Sequence, residues 1–395
     1  LRPLEGIRVL DLSRVLAGPF ATITLADLGA EVIKVEEPGK GDQTRTWGPP
    51  YLEGESTYFL SINRSKLGIT LDFKKPKGRE LLFRLLERSD VMIENFRAGV
   101  LDRNGLGFQR LSKSYPRLIY CSITGYGHTG PRSAEPGFDV IIQGESGIMS
   151  VTGDPEGPPC KVGVPIADIV AGMYAVQGIL AALFQRQTTG RGRKIDVALL
   201  DSMISALTYQ AGIYFGTGVT PQRMGNRHPS LVPYEIYEAS DGYFTIGVTN
   251  ESLWNRFCDA LRLGGLKRHP LFSSGALRVK NYKTLRRRLV PLLRRHKMAY
   301  WLDRLRTAGI PCGEVRSVAQ ALKEPQLRAR EMILELDHPK AGKIRVTGSP
   351  MKMSGMEPAL SAPPPLLGQH NREVYCGLLG LSPEELRQLR TDRII

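Results

Sequence analysis

The sequence predicts an α/β fold, with a large domain built on a parallel sheet and a second, smaller α+β domain. Three observations predict it. Short β-rich runs alternate with helical segments through the first third of the chain. A long apolar helical stretch follows within 162–192, and beyond a glycine- and proline-rich break at 216–233 the pattern changes to a hairpin followed by helices.

Taken in order, Ile7–Leu12 (IRVLDL) reads as a strand, Ala21–Gly29 as a helix and Glu31–Glu36 (EVIKVE) as a second strand. Val91–Asn95 (VMIEN) follows the helical KGRELLFRLLERSD, and Leu118–Ile123 (LIYCSI) follows a helical stretch around Phe108–Ser114. Strands separated by helices pair in parallel through right-handed crossovers. Gly125-Tyr126-Gly127-His128-Thr129-Gly130 matches GxGxxG literally. Pro131 and Pro136 nevertheless oppose the helix that a dinucleotide fingerprint must open, so the glycines read as a loop where backbone approaches a ligand or another segment. The first strand, where that fingerprint belongs, leads instead into SRVLAGPFA.

From Ile169 to Phe184 apolar residues recur in threes and fours with little polar surface between them, the pattern of a helix buried on most sides. Gly190 and Gly192 stop it, and Arg186 and Arg191 sit at the negative end of its dipole. Asp168 is the one charge at its front. An aspartate there serves as an N-cap. Equally, a carboxylate held ionised by a helix N-terminus and set in a pocket can act as a nucleophile, and spacing alone does not separate the two.

Lys194–Phe215 continues as strand and then helix. From Tyr234, YEIYEASDGYFTIGV alternates with period two around Ser240-Asp241-Gly242, a hairpin signal, and Trp254–Leu263 and Leu277–Leu305 read as helical. Arg286–Lys297 (RRRLVPLLRRHK) is the densest basic cluster, and Leu285, just ahead of it, with Leu289, Leu292 and Leu293 supplies a buried stripe. The arginines therefore form the solvated face of an amphipathic helix interrupted or kinked at Pro291, and without interleaved aromatics they do not indicate nucleic acid. Pro350, Pro358 and Pro363-Pro364-Pro365 punctuate the final section, and Ser382-Pro383-Glu384-Glu385 is a capping box that opens a last helix over Pro383–Arg390.

Fifty-four Lys and Arg against thirty-nine Asp and Glu give a formal charge of +15, which suits an anionic partner. No apolar run free of polar residues reaches the roughly eighteen that span a bilayer, so no membrane is expected. Five scattered cysteines without CxxC argue against a disulfide framework or zinc ribbon and for a reducing compartment, the cytoplasm or, if a transit peptide preceded Leu1, the mitochondrial matrix. Six dispersed histidines without HExxH make a catalytic metal unexpected.

LDLSRVLAGPFATITLADLGAEVIKVE (10–36), GDQTRTWGPP (41–50), NRSKLGITLDFK (63–74), ENFRAG (94–99), SITGYGHTGP (122–131), the segment around Asp168, GNRHPSLVPYEIYEASDGY (225–243) and PPPLLGQH (363–370) occur in that order. Together they resemble the class III CoA-transferase family, which includes formyl-CoA, carnitine and succinyl-CoA:glutarate CoA-transferases and the related α-methylacyl-CoA racemases. The resemblance implies a Rossmann-like large domain drawn from both ends of the chain, 1–215 and 331–395. A linker at 216–233 and a small domain at 234–330 would lie between them, in an interlocked homodimer.

It further implies that Asp168 attacks an acyl-CoA thioester to form a mixed anhydride, which CoA thiolate converts to an aspartyl-CoA thioester that the acceptor acid opens. No cofactor would be bound permanently; coenzyme A would be a substrate, exchanged between an acyl-CoA and a small carboxylic acid. By the same resemblance Leu71, Lys74, Asn95, Phe96 and Arg103 contact CoA, Ala17 and Gly18 lie near the acyl group, and Gly225–His228 form a loop over the intermediates. Two departures matter. Leu16 stands where formyl-CoA transferases carry glutamine, which argues against oxalate and formate chemistry. Phe138 stands where racemases carry the histidine of AGHD, and since phenylalanine takes no proton, transfer is favoured over the alternative of racemisation or epimerisation.

Overall fold

In the computed structural model, which describes residues 2–356 and 361–395, the alternation of strands and helices resolves into one six-stranded parallel sheet. Pro358 lies outside the described residues. The strands are β1 (Arg8–Asp11), β2 (Glu31–Glu36), β3 (Lys66–Thr70), β4 (Val91–Glu94), β5 (Ile119–Thr124) and β6 (Lys194–Ala198). Their order is β3-β2-β1-β4-β5-β6 with every neighbour parallel. This is a doubly wound order that reverses direction between β1 and β4, the place where such sheets bind ligands.

Period-two alternation sends the strand side chains into two cores. Val9, Val32, Ile93, Cys121 and Val197 face α1 (Ala17–Asp27) and the long helix within 162–192 on one side. Leu10, Ile33, Ile69, Met92 and Tyr120 face α2 (Pro76–Leu86) and the C-terminal residues Val374, Tyr375, Leu386 and Leu389 on the other. Beyond β5 the chain forms α3 (Asp139–Glu145), α4 (Ile166–Thr189), α5 (Leu199–Ala206) and α6 (Tyr209–Thr217).

The helix α4 differs from expectation in one respect. Only one face is buried, through Ala167, Ala171, Ala175, Ile179 and Leu183, while Met173, Tyr174 and Phe184 stand exposed. Its apolar period reports two apolar faces, of which this chain covers one. By length and composition α4 could cross a membrane. Here, however, it packs on α1 and the sheet, with Arg186 bonded to Asp90 at 2.9 Å, and Gly190 closes it in a left-handed conformation at φ 67°.

The chain divides into two compact units, a larger of Leu1–Ile148, Lys161–Thr217 and Pro325–Ile395 and a smaller of Met149–Cys160 and Gly218–Glu324. The smaller has its own core around Tyr237, Phe244, Trp254, Phe257 and Trp301. There the hairpin Tyr234–Ala239 and Gly242–Gly247 joins Cys312–Glu314 in an antiparallel sheet. The basic helix runs Tyr282–Leu293 with Leu285, Leu289 and Leu293 buried and Arg286, Arg287 and Arg288 exposed. It continues through Pro291, which has no N–H to donate to the preceding turn, and ends two residues later. The last helix, Pro383–Thr391, carries the full Ser382/Glu385 capping box.

A candidate active site at the switch point of the sheet

Where the strand order reverses, the loops leaving β1 and β4 enclose a cavity of about 180 Å³ in the larger unit. Its walls are Arg14–Ala17 after β1, Asn95–Ala98 after β4, the Thr124-Gly125 end of β5, the 135–138 segment and Asp168. That volume suits a short acyl group; sites that enclose whole drug-sized ligands run to roughly 300–1,000 Å³.

Asp168 is the third residue of α4, not its cap. Pro165 occupies the N-cap position without a side-chain bond. The Ala167 N–H instead donates to Asp139 Oδ1 at 2.9 Å, and the buried Gln143 donates from Nε2 to Asp139 Oδ2 at 2.8 Å. With the capping work done by Asp139, the Asp168 carboxylate has no hydrogen-bond donor among the described residues. Nor does the helix dipole keep it readily ionised. Burial, and after it the nearby Asp139 carboxylate at the same helix end, push Asp168 up to about 7. Burial and then Asp168 raise the Tyr58 hydroxyl to about 12, so Tyr58 also lies within electrostatic reach; its ring stands edge-on to Trp47 at 5.2 Å.

The wall after β1 has an unusual backbone. Val15 adopts φ 65°, a left-handed conformation that β-branched residues avoid. Its N–H donates to the Asp42 carboxylate at 3.2 Å, and Asp42 forms an ion pair with Lys34 at 2.9 Å, both side chains being wholly buried. Against the cost of burial, the Asp42 and Asp11 carboxylates hold Lys34 above its usual range, and Lys34 Nζ also donates to the Ser13 carbonyl at 3.0 Å. Asn95 fixes the neighbouring residue from the other side, accepting the Arg14 N–H at 2.8 Å and donating to the Arg14 carbonyl at 2.7 Å.

Of the residues singled out in the sequence, Ala17, Asn95, Phe96 and Asp168 come together around this cavity. Leu71, Lys74 and Arg103 do not line it. Leu71 is 2% exposed and its side chain belongs to the core, whereas Lys74 and Arg103 are exposed cations beyond the ends of β3 and β4. Arg14 and Arg97, not singled out, line the cavity, and the Arg14 guanidinium lies 5.0 Å over the Phe96 ring. Among the described residues neither arginine makes an ion pair. No sequence signal marked them apart from their place inside the SRVLAGP and ENFRAG motifs. Asp139 does carry a signal, its place beside Phe138 in the PGFD stretch.

The GxGxxG glycines also find their reason. A Cβ on Gly125 would stand 2.6 Å from Gly137 Cα, so two backbones cross here with no room for side chains. No helix follows until Asp139.

The model of CoA-transferase family III matches residues 4–371. Succinyl-CoA:glutarate CoA-transferase of Mus musculus is 42% identical over 395 residues, covering 100% of this chain and 91% of the relative. Acetyl-CoA:oxalate CoA-transferase of Acetobacter aceti is 40% identical over 356 residues, 90% of each. A crystal structure of a CaiB/BaiF-family protein from Brucella suis superposes with a TM-score of 0.85 at 41% identity, covering 95% of this chain and 99% of the other.

Proposed function

This chain belongs to CoA-transferase family III and is a CoA-transferase, and we propose that it moves coenzyme A from a donor such as succinyl-CoA to a short carboxylic or dicarboxylic acid through covalent intermediates on Asp168. The observation that carries this reading is an aspartate that accepts no hydrogen bond among the described residues, set in the wall of a small cavity at the strand ends. In the first step an Asp168 oxygen attacks the thioester carbon and CoA thiolate leaves, giving a mixed anhydride. The thiolate then attacks the aspartyl carbonyl and releases the donor acid, leaving an aspartyl-CoA thioester. The acceptor carboxylate displaces the thiolate to form a second anhydride, and attack of the thiolate on its acyl carbon releases the new acyl-CoA with Asp168 restored as carboxylate. A water-poor cavity keeps these activated species from hydrolysis.

Lys74 and Arg103 are suited to the phosphates of CoA, and Arg14 and Arg97, nearer Asp168, to anionic groups of either substrate. Ala17 and Phe96 would bound the acyl group and the pantetheine arm, while Leu71 would reach a ligand only through its backbone. The reading needs no resident cofactor. The uncovered face of α4 supports an interlocked homodimer, and five free cysteines support a reducing compartment. Phe138, in the cavity wall, offers no proton for racemisation.

The test is to incubate the protein with succinyl-CoA and a panel of acids, follow new acyl-CoA species by mass spectrometry, and trap Asp168 with hydroxylamine during turnover. Transfer to short dicarboxylates, with a hydroxamate at position 168, is expected. Transfer surviving in Asp168→Ala overturns the covalent reading, and solvent deuterium entering the α-carbon without exchange of acid would mark a racemase instead.

A further inference from the structure

Arg14, Val15, Leu16 and Ala17 are four consecutive residues of the wall that shares the cavity with Asp168. Nothing in their own sequence favours the shape they take. Val15 sits at φ 65° without being glycine, and α1 begins behind it with Leu16 at the N-cap and no side-chain cap. The shape is imposed from outside by two attachments. One is the Asp42 carboxylate, which takes the Val15 N–H as well as the Thr44 N–H at 3.0 Å, and which is itself anchored by Lys34 from β2. The other is the Asn95 side chain, whose amide donates to and accepts from the backbone of Arg14. Lys34 also donates to the carbonyl of Ser13, the residue before Arg14, at 3.0 Å.

We infer that Asp42, Lys34 and Asn95 are positioning residues of the transfer reaction, a buried lock that sets the Arg14–Ala17 wall at its working distance from Asp168. The inference rests on the covalent reading above, because its consequence is the placing of an acyl carbon against the Asp168 oxygen. Wall displacements on the order of 1 Å are enough to lower such a reaction about 100-fold, since attack needs the reacting atoms held close and aligned. A buried ion pair is also a poor way to gain stability, being replaceable by apolar residues of similar volume at little or no loss. Its presence against the cavity wall is therefore better explained by the bonds it makes to Val15 and Ser13 than by the fold.

Asn95 gives the sharpest contrast. If its amide served CoA, Asn95→Ala would raise KM for acyl-CoA and leave kcat near the native value. If it positions the wall, the same change lowers kcat by 10-fold or more with KM within about threefold. The pair is tested by Lys34→Met/Asp42→Leu, which removes both charges together and so leaves neither one buried alone. A folded double variant is expected to lose 30-fold or more in kcat. Adding Val15→Gly, which lets the left-handed conformation form without the Asp42 bond, is expected to recover at least fivefold. A purely structural pair would show no such recovery. Native kcat in either Asn95→Ala or the folded double variant overturns the inference, and if the double variant does not fold, Asn95→Ala decides alone. Asp168→Ala is run beside them: turnover surviving there removes the covalent reading, whereas its loss together with unaffected Asn95→Ala removes only the lock.

Discussion

The Asp139 carboxylate accepts the Ala167 N–H at 2.9 Å, one residue ahead of Asp168 on the same helix turn. Asp139 thus stabilises the start of α4 and at the same time holds a negative charge beside the candidate nucleophile. In Asp139→Asn the side-chain oxygen can still cap the helix, but the charge is gone. With Asp168 near 7 in the native protein, kcat/KM for acyl-CoA is expected to rise with pH through about 7 as the carboxylate forms. In Asp139→Asn that limb should move to lower pH. A pH profile measured on both proteins checks this, and an unmoved limb would mean that Asp139 does not govern the ionisation of Asp168.

The same displaced ionisation has a consequence for stability. The folded state holds Asp168 protonated up to about 7 against a usual value of 3.8. As pH rises from the lower value through the upper one, the unfolded chain ionises freely while the folded chain resists, so this group increasingly destabilises the fold and its full cost is present above about 7. Asp168→Asn is therefore expected to raise Tm at pH 8 and to match the native Tm near pH 4. Turnover should fall on the order of 10³-fold or more, as when an enzyme loses its nucleophile. Thermal melts at the two pH values decide, and an equal difference at both would refute the assignment.

Close packing of helices behind the cavity gives a third expectation. A Cβ on Gly172 would meet the Ala17 carbonyl oxygen at 2.7 Å and the Phe20 ring at 3.0 Å, where α4 crosses the start of α1. Gly172→Ala gains a little helix propensity, yet the contact is with backbone and cannot yield cheaply. A net loss of about 1–3 kcal/mol is expected in urea unfolding, together with a fall in kcat because Ala17 shifts. Unchanged stability would show that the two helices have slack.

What could be read in the sequence was whatever local periodicity and chain punctuation determine. β2 and the Phe108–Ser114 helix stand within the stretches their residues suggest, and the Ser382 capping box closes as its spacing requires. The strand Lys66–Thr70 is not legible in the sequence, because KLGIT is short and broken by glycine and so shows no alternation. Three features of the site escaped for a common reason. The capping of α4 comes from Asp139, 29 residues upstream of Asp168, the left-handed turn at Val15 is enforced by Asp42, and Asn95 bonds Arg14 from another strand end. Each is a tertiary contact, and no local pattern announces it. The two-sided character of α4 escaped differently, since a period shows which faces are apolar but not what covers them.

That uncovered face carries the last prediction. Phe184 and Phe215 are 77% and 81% exposed, and Met173, Tyr209 and Tyr214 are about half exposed, all of them on α4 and α6. Isolated apolar residues on a surface are ordinary, but several large ones on two helices are the kind of surface that an association buries. With a second copy as the covering partner, the native mass by light scattering is expected to be twice the chain mass of 43.8 kDa at micromolar concentration. Phe184→Glu places a charge where that contact would exclude water, so it should release monomer and lower Tm, with a loss of turnover if the two copies complete each other's sites. A native protein that remains monomeric at micromolar concentration would overturn the homodimer, while leaving the chemistry at Asp168 to stand or fall on its own test.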